Sequence, residues 1–225
     1  MVNGPYPLSL TKAEDYFYRE SQGEFVAKEH ELLPHTFGGN MLAEFGLKPG
    51  PFTQDEYGKF LRGPMVAELD ECVKDIVRVV QDIPWSVPKG FSIASLIDGA
   101  GALLIPAIIH ANNEHMRYMS KYARARVTVE GVSVKVAVTG MMWATFWHIS
   151  SRERDENEKW GVNGGADPQI HAHNLVSKWV RVDGKLYELD EEDGYVARKA
   201  VEAFSQVDIE KELFRARDKA IRVRA

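Results

Sequence analysis

Two runs limit this chain more than any other feature: Trp143-Ala-Thr-Phe-Trp-His148 and Ile170-His171-Ala-His173-Asn-Leu-Val176. His171 and His173 stand two apart among residues that favour a strand, so their side chains leave the same face of a sheet. His148 closes the first run, which also reads as a strand. If the two runs pair antiparallel through the loop between them, His148 joins the other two. Three neutral imidazoles hold a metal ion and leave coordination positions open, as a catalytic site requires. A lone His-x-His pair is commonly structural. The third histidine, at the end of a neighbouring strand, is what turns the pair into a candidate centre.

The chain has 225 residues, enough for one sizeable core. With 44% hydrophobic and 27% charged residues it belongs with ordinary folded proteins rather than disordered ones. The lone Cys72 excludes a disulfide framework and fits a reducing compartment. No basic segment followed by an apolar run marks a signal peptide. The longest apolar run, residues 91–109, contains Asp98, Gly99, Gly101 and Pro106, and reads as a buried helix rather than a membrane span. The net charge of −5 argues mildly against nucleic-acid binding. The cations are clustered, however: Arg117, Lys121, Arg124 and Arg126 follow one another without an acid, Arg152 and Arg154 follow His148, and five of the last eleven residues are basic. A local basic groove suffices to bind phosphates, although each cluster taken alone is as readily a solvated helix face.

In chain order, residues 1–7 read as a loose end, residues 10–20 as a helix carrying Tyr16-Phe-Tyr18, and residues 21–40 as loop. Short helices are expected at 41–47 and 55–61. The β-branched density of residues 72–85 marks a strand that ends near Asp82. A core helix over 91–109 is expected to break near Gly99 to Gly101 and at Pro106, and a basic amphipathic helix follows over 112–126. Residues 127–138 form a hairpin turning at Glu130-Gly131. Residues 170–182 form one strand, and Asp183-Gly184 turns it back over 185–189. Helices close the chain from about residue 194. The expected fold class is therefore α+β, an antiparallel sheet with helices packed mainly on one face, in a single domain over 1–225.

The residues combine into one chemistry. A metal held by three imidazoles polarises the non-bridging oxygens of a phosphodiester, and a tyrosine hydroxyl can attack the phosphorus. Tyrosine is a weak nucleophile at its free pKa of about 10, so it needs the metal or a nearby base. Asp82 is a candidate for that base. It is equally a candidate to accept the N–H of a ligand histidine and fix its tautomer.

Three blocks resemble the MobF-type conjugative relaxases, which belong to the HUH single-strand endonucleases. Ala13-Glu-Asp-Tyr16-Phe17 resembles their N-terminal tyrosine block. Asp82-Ile-Pro-Trp-Ser-Val-Pro88-Lys89 resembles their Asp-Leu-Thr-Phe-Ser-Ala-Pro-Lys block. Phe146-Trp-His148-Ile-Ser-Ser-Arg152, with Asp167-Pro-Gln-Ile-His171-Ala-His173, resembles their histidine motif and is the most specific of the three. The likeness runs from about Leu8 to the end.

The resemblance implies an HUH-type palm and an enzyme that nicks one DNA strand at a plasmid origin of transfer. It implies attachment to the 5′ phosphate through tyrosine and later rejoining of the ends. Carried over by position, His148, His171 and His173 bind the metal, Tyr16 is the nucleophile with Tyr18 its rival, and Asp82 is the neighbouring carboxylate. Lys89, Arg152 and Arg154 contact DNA phosphates. The implied ion is magnesium or manganese; the three imidazoles suit zinc, cobalt or nickel as well. The implied partners are single-stranded DNA at the origin of transfer and other transfer proteins, and the implied location is the bacterial cytoplasm, with no membrane span. The chain departs from the pattern in several places. Phe25-Val26 stand where the family often has a second tyrosine pair, Pro84 replaces a threonine, and residues 155–166 are an insertion within the histidine motif. No helicase region follows, as expected of a shortened or minimal version. Two other readings stay open: a DNA-binding regulator with the same fold and no cleavage, and an unrelated tri-histidine metal hydrolase.

Overall fold

The computed structural model describes residues 6–14, 33–63, 78–96, 100–150 and 168–190, and positions 211, 214, 215 and 218. Its strands are β1 (Tyr6–Ser9), β2 (Thr36–Gly39), β3 (Gly50–Pro51), β4 (Arg78–Ser86), β5 (Arg124–Val129), β6 (Val132–Ala137), β7 (Met142–Ser150), β8 (Pro168–Ser177), β9 (Trp179–Val182) and β10 (Lys185–Glu188). Its helices are α1 (Gln54–Arg62), α2 (Lys89–Leu96) and α3 (Gly101–Tyr122). Six strands form one antiparallel sheet in the order β1-β4-β8-β7-β2-β3, so the longest strands lie at its centre. The hairpins β5-β6 and β9-β10 stand as separate two-stranded ribbons. This is the expected α+β class.

Alternation along β8 sorts the core. Ile170 and Ala172 point to one face with Trp85 and Trp147, against Leu104, Ile105 and Ile108 of α3. Helices α2 and α3 cover this face. Ser92 of α2 accepts the Ile170 N–H at 2.9 Å, and Asn112 of α3 exchanges two hydrogen bonds with Asn174 at 2.9 and 3.0 Å. Leu175 points the other way, into a cluster with Phe37, Ala144 and Phe146, capped by Tyr57, Phe60 and Leu61 of α1 and by Leu10 and Ala13. α1 starts at a full capping box. Thr53 Oγ1 accepts the Glu56 N–H at 3.3 Å, and Glu56 accepts the Thr53 N–H at 2.8 Å.

Several sequence expectations are corrected. Residues 6–9 and 36–39 are strands, not loose end and loop; both are four residues long and take their place from long-range pairing, Tyr6 opposite Asp82 and Phe37 opposite Ala144. Gly38 is required there, because a Cβ would lie 2.5 Å from the Trp143 ring. The helix expected at 41–47 is a single 3-10 turn, Leu42–Phe45. α3 runs unbroken through Pro106. That proline lies early in the helix, so the lost hydrogen bond is one among many, and burial of Leu104, Ile105 and Ile108 around it outweighs the loss. The strand expected over 170–182 is two. Lys178 separates β8 from β9, which leaves the main sheet to pair with β10. Both hairpin turns, at Glu130-Gly131 and Asp183-Gly184, form as expected, with positive φ at all four residues. The first half of the expected strand at 72–85 and most of the closing helices lie outside the described residues; positions 211, 214, 215 and 218 are helical. No described helix is long and apolar enough to cross a membrane.

Candidate metal centre

β7 and β8 pair with His148 directly opposite His171, and Phe146 opposite His173. Opposite residues in an antiparallel pair share a face, so the period of two and the register together put all three imidazoles on the α1 side of the sheet. Their ligand atoms lie within 4.8 Å of one another, and each ring is half-buried. The ring centroids are 4.9 Å apart for His148 and His171, 5.3 Å for His148 and His173, and 5.4 Å for His171 and His173. Immediately after His148 the register slips, a bulge between His148 and Ser150. Bulges of this kind re-aim side chains beside active sites.

Two of the rings are held from behind. His173 Nδ1 donates to Asp82 Oδ2 at 2.7 Å, and His171 Nδ1 donates to the Gln169 carbonyl at 3.0 Å. With each Nδ1 engaged as a donor, the lone pair lies on Nε2, the atom that would bind an ion. Asp82 lies in the middle of β4, not near its end. It stands opposite Leu175, one diagonal step from His173 on the same face. Its side chain is only 8% exposed, and among the described residues Oδ1 has no hydrogen-bond partner. A buried carboxylate with one oxygen on a ligand histidine fits the tautomer-fixing role read from the sequence. The donor set and its orientation therefore fit a divalent ion at His148, His171 and His173.

Other expected residues divide in two. Lys89 is exposed at the first turn of α2, three residues beyond Ser86, the β4 residue paired with His171. Tyr16, Tyr18, Arg152 and Arg154 lie outside the described residues. The basic run after Arg117 proves largely structural. Arg117 pairs with Glu114 at 2.8 Å, Lys121 lies 4.5 Å over the Tyr118 ring, and Arg126 and Lys135 bind the fully buried Asp190 at 2.9 and 3.4 Å.

Sequence reasoning missed the surroundings of the centre. His35 is buried, its ring 4.7 Å from Phe146, and its Nδ1 accepts the Trp147 N–H at 3.3 Å. The Gln169 contact is made by main chain, which no side-chain motif reveals. Tyr57 is 2% exposed and donates to the Ala13 carbonyl at 2.9 Å. Burial, reinforced by the charges of Asp82 and Glu14, pushes its hydroxyl well above the usual tyrosine range.

Comparisons with known proteins agree with this geometry. A search of curated protein sequences gives no significant match. The chain is similar in structure to the conjugative relaxase TrwC in complex with oriT DNA in a metal-bound form, with a TM-score of 0.72 and 22% identity, over 96% of this chain and 70% of the other. A copper-bound form of that complex matches at 0.72 with 20% identity, over 96% and 70%. TrwC with a 27-mer comprising the recognition hairpin and the cleavage site matches at 0.68 with 21% identity, over 96% and 69%. At such identity the likeness shows the fold. The sequence profile of the TrwC relaxase, however, matches residues 10–219, nearly the whole chain, and the chain belongs to the TrwC relaxase family.

Proposed function

We propose that this chain, acting as one relaxase domain, nicks a single DNA strand at a plasmid origin of transfer and transfers it through a covalent 5′-phosphotyrosine. The observation that carries the reading is the convergence of His148, His171 and His173 beside the buried Asp82, in a chain of the relaxase family. The three histidines would hold a divalent ion, magnesium or manganese by family, with zinc, cobalt and nickel also suited to nitrogen donors. When bound, that ion supplies Lewis-acid polarisation of the scissile phosphate and neutralises charge that develops on it.

The remaining work falls to the chain itself. Tyr16 is the nucleophile: its oxygen bonds to phosphorus, the bond from phosphorus to the 3′ oxygen breaks, and that oxygen leaves as a hydroxyl. Asp82 Oδ1 is the acceptor suited to take the tyrosine proton, while Oδ2 keeps His173 in its tautomer. Support for Tyr16 comes from the segment just before it. Residues 10–14 are helical, and Leu10 and Ala13 pack on the face that carries the histidines. Lys89, Arg152 and Arg154 contact DNA phosphates on this reading, and the site works on plasmid DNA in the bacterial cytoplasm.

The test is the intact mass of the protein after incubation with single-stranded origin DNA and manganese. The parent protein should gain the mass of the 3′-side fragment, and Tyr16→Phe should gain none while still binding the DNA. Adduct retained in Tyr16→Phe but lost in Tyr18→Phe moves the nucleophile to Tyr18. No nick with any divalent metal supports the non-cleaving regulator instead.

A further inference from the structure

α1 reaches the N-terminal segment through one buried hydrogen bond. Tyr57 Oη donates to the Ala13 carbonyl at 2.9 Å, across 44 positions of sequence. Both ends are buried. Tyr57 is 2% exposed, its ring 5.1 Å edge-on to Phe146 and 5.7 Å from Phe52. Phe146 is the residue opposite His173 in the sheet. Ala13 is fully buried. A phenylalanine would fill the same space, as Phe52 and Phe60 do beside it, so the hydroxyl is what this position adds. That hydroxyl meets main chain three residues before Tyr16 in the sequence. Three residues are less than one helical turn. Fixing the Ala13 carbonyl therefore fixes the point from which the sequence runs on to Tyr16.

We infer, on the reading under Proposed function, that Tyr57 is a positioning residue for the nucleophile: its hydroxyl latches residues 10–14 to the wall of the histidine site and so aims Tyr16 at the scissile phosphate. The hydroxyl stays protonated, and so remains a donor, because burial and the nearby charges of Asp82 and Glu14 oppose its ionisation. A second tie between the same elements, Arg62 to Glu14 at 3.3 Å, is solvent-exposed and weak by comparison.

The experiment uses the full chain and the variant Tyr57→Phe. Three quantities are read: the single-turnover rate of adduct formation with origin DNA and manganese, the affinity for the same DNA, and amide exchange over residues 8–20. Tyr57→Phe should slow adduct formation about ten- to a hundredfold, the scale expected when a reacting group is displaced by about an ångström. DNA affinity should be unchanged. Exchange should quicken over residues 8–20 and stay slow in β7 and β8. Phe60→Leu, which loosens the same cluster but leaves the Tyr57 hydroxyl in place, should keep the parental rate. A parental rate in Tyr57→Phe, or an equal loss in Phe60→Leu, overturns the latch alone. Absence of adduct from the parent protein overturns the reading under Proposed function and the latch with it.

Discussion

Removing the carboxylate of Asp82 should weaken metal binding by a bounded amount. His173 donates to Asp82 Oδ2 at 2.7 Å, and in Asp82→Ala nothing replaces that acceptor, so the ring loses both its fixed tautomer and its orientation. His171 keeps the Gln169 carbonyl, and β7 still presents His148. One ligand of three is loosened and none is deleted. Loss of such an outer partner costs 10- to 100-fold in affinity, about 1.4 to 2.7 kcal/mol. Isothermal titration of the metal-free protein with zinc or manganese measures this directly. Asp82→Asn sharpens the test. Its amide oxygen can still accept from His173, so metal affinity should fall less than in the alanine variant. Its amide nitrogen then stands in the place of Oδ1, so the variant loses the carboxylate charge and the candidate proton acceptor but keeps the contact to His173. The alanine variant is thus the weaker metal binder of the two. Parental metal affinity in both variants would refute the role given to Asp82 as the orienting group.

Two further perturbations test the frame around the site. Asn112→Ala removes both partners that Asn112 offers to the fully buried Asn174, and should cost about 2–3 kcal/mol in urea unfolding without altering metal affinity, since this network lies on the opposite face of the sheet; an unchanged midpoint would show that these bonds do not stabilise the fold. Glu56→Gln keeps an acceptor in the capping box of α1 but removes its charge. The Thr53 backbone and hydroxyl hold the Glu56 carboxyl below its ordinary value of 4.5, so this contribution is present above that pH and is lost as pH falls through the lowered value. The variant should melt below the parent at neutral pH, and the gap should close in acid; a gap that persists there contradicts the assignment.

The histidine site was legible because its information is local. A period of two along residues 170–176 and an aromatic run ending at His148 already specify one face of two strands, and the hairpin turns at Glu130-Gly131 and Asp183-Gly184 announce themselves by residue type. What the tertiary structure alone decided are pairings between distant segments. β1 and β2 have four residues each and no alternation to read; they exist because Tyr6 meets Asp82 and Thr36 meets Thr145. The break between β8 and β9 and the continuity of α3 through Pro106 follow from what each segment packs against, not from its own propensity. The same holds for the acceptor behind His173, while the one behind His171 escapes a side-chain reading for another reason. Asp82 is 91 positions from His173, and the Gln169 carbonyl belongs to main chain that every residue carries. Local alternation chooses which face a histidine takes; for His173, only long-range contact chooses the atom that holds it there.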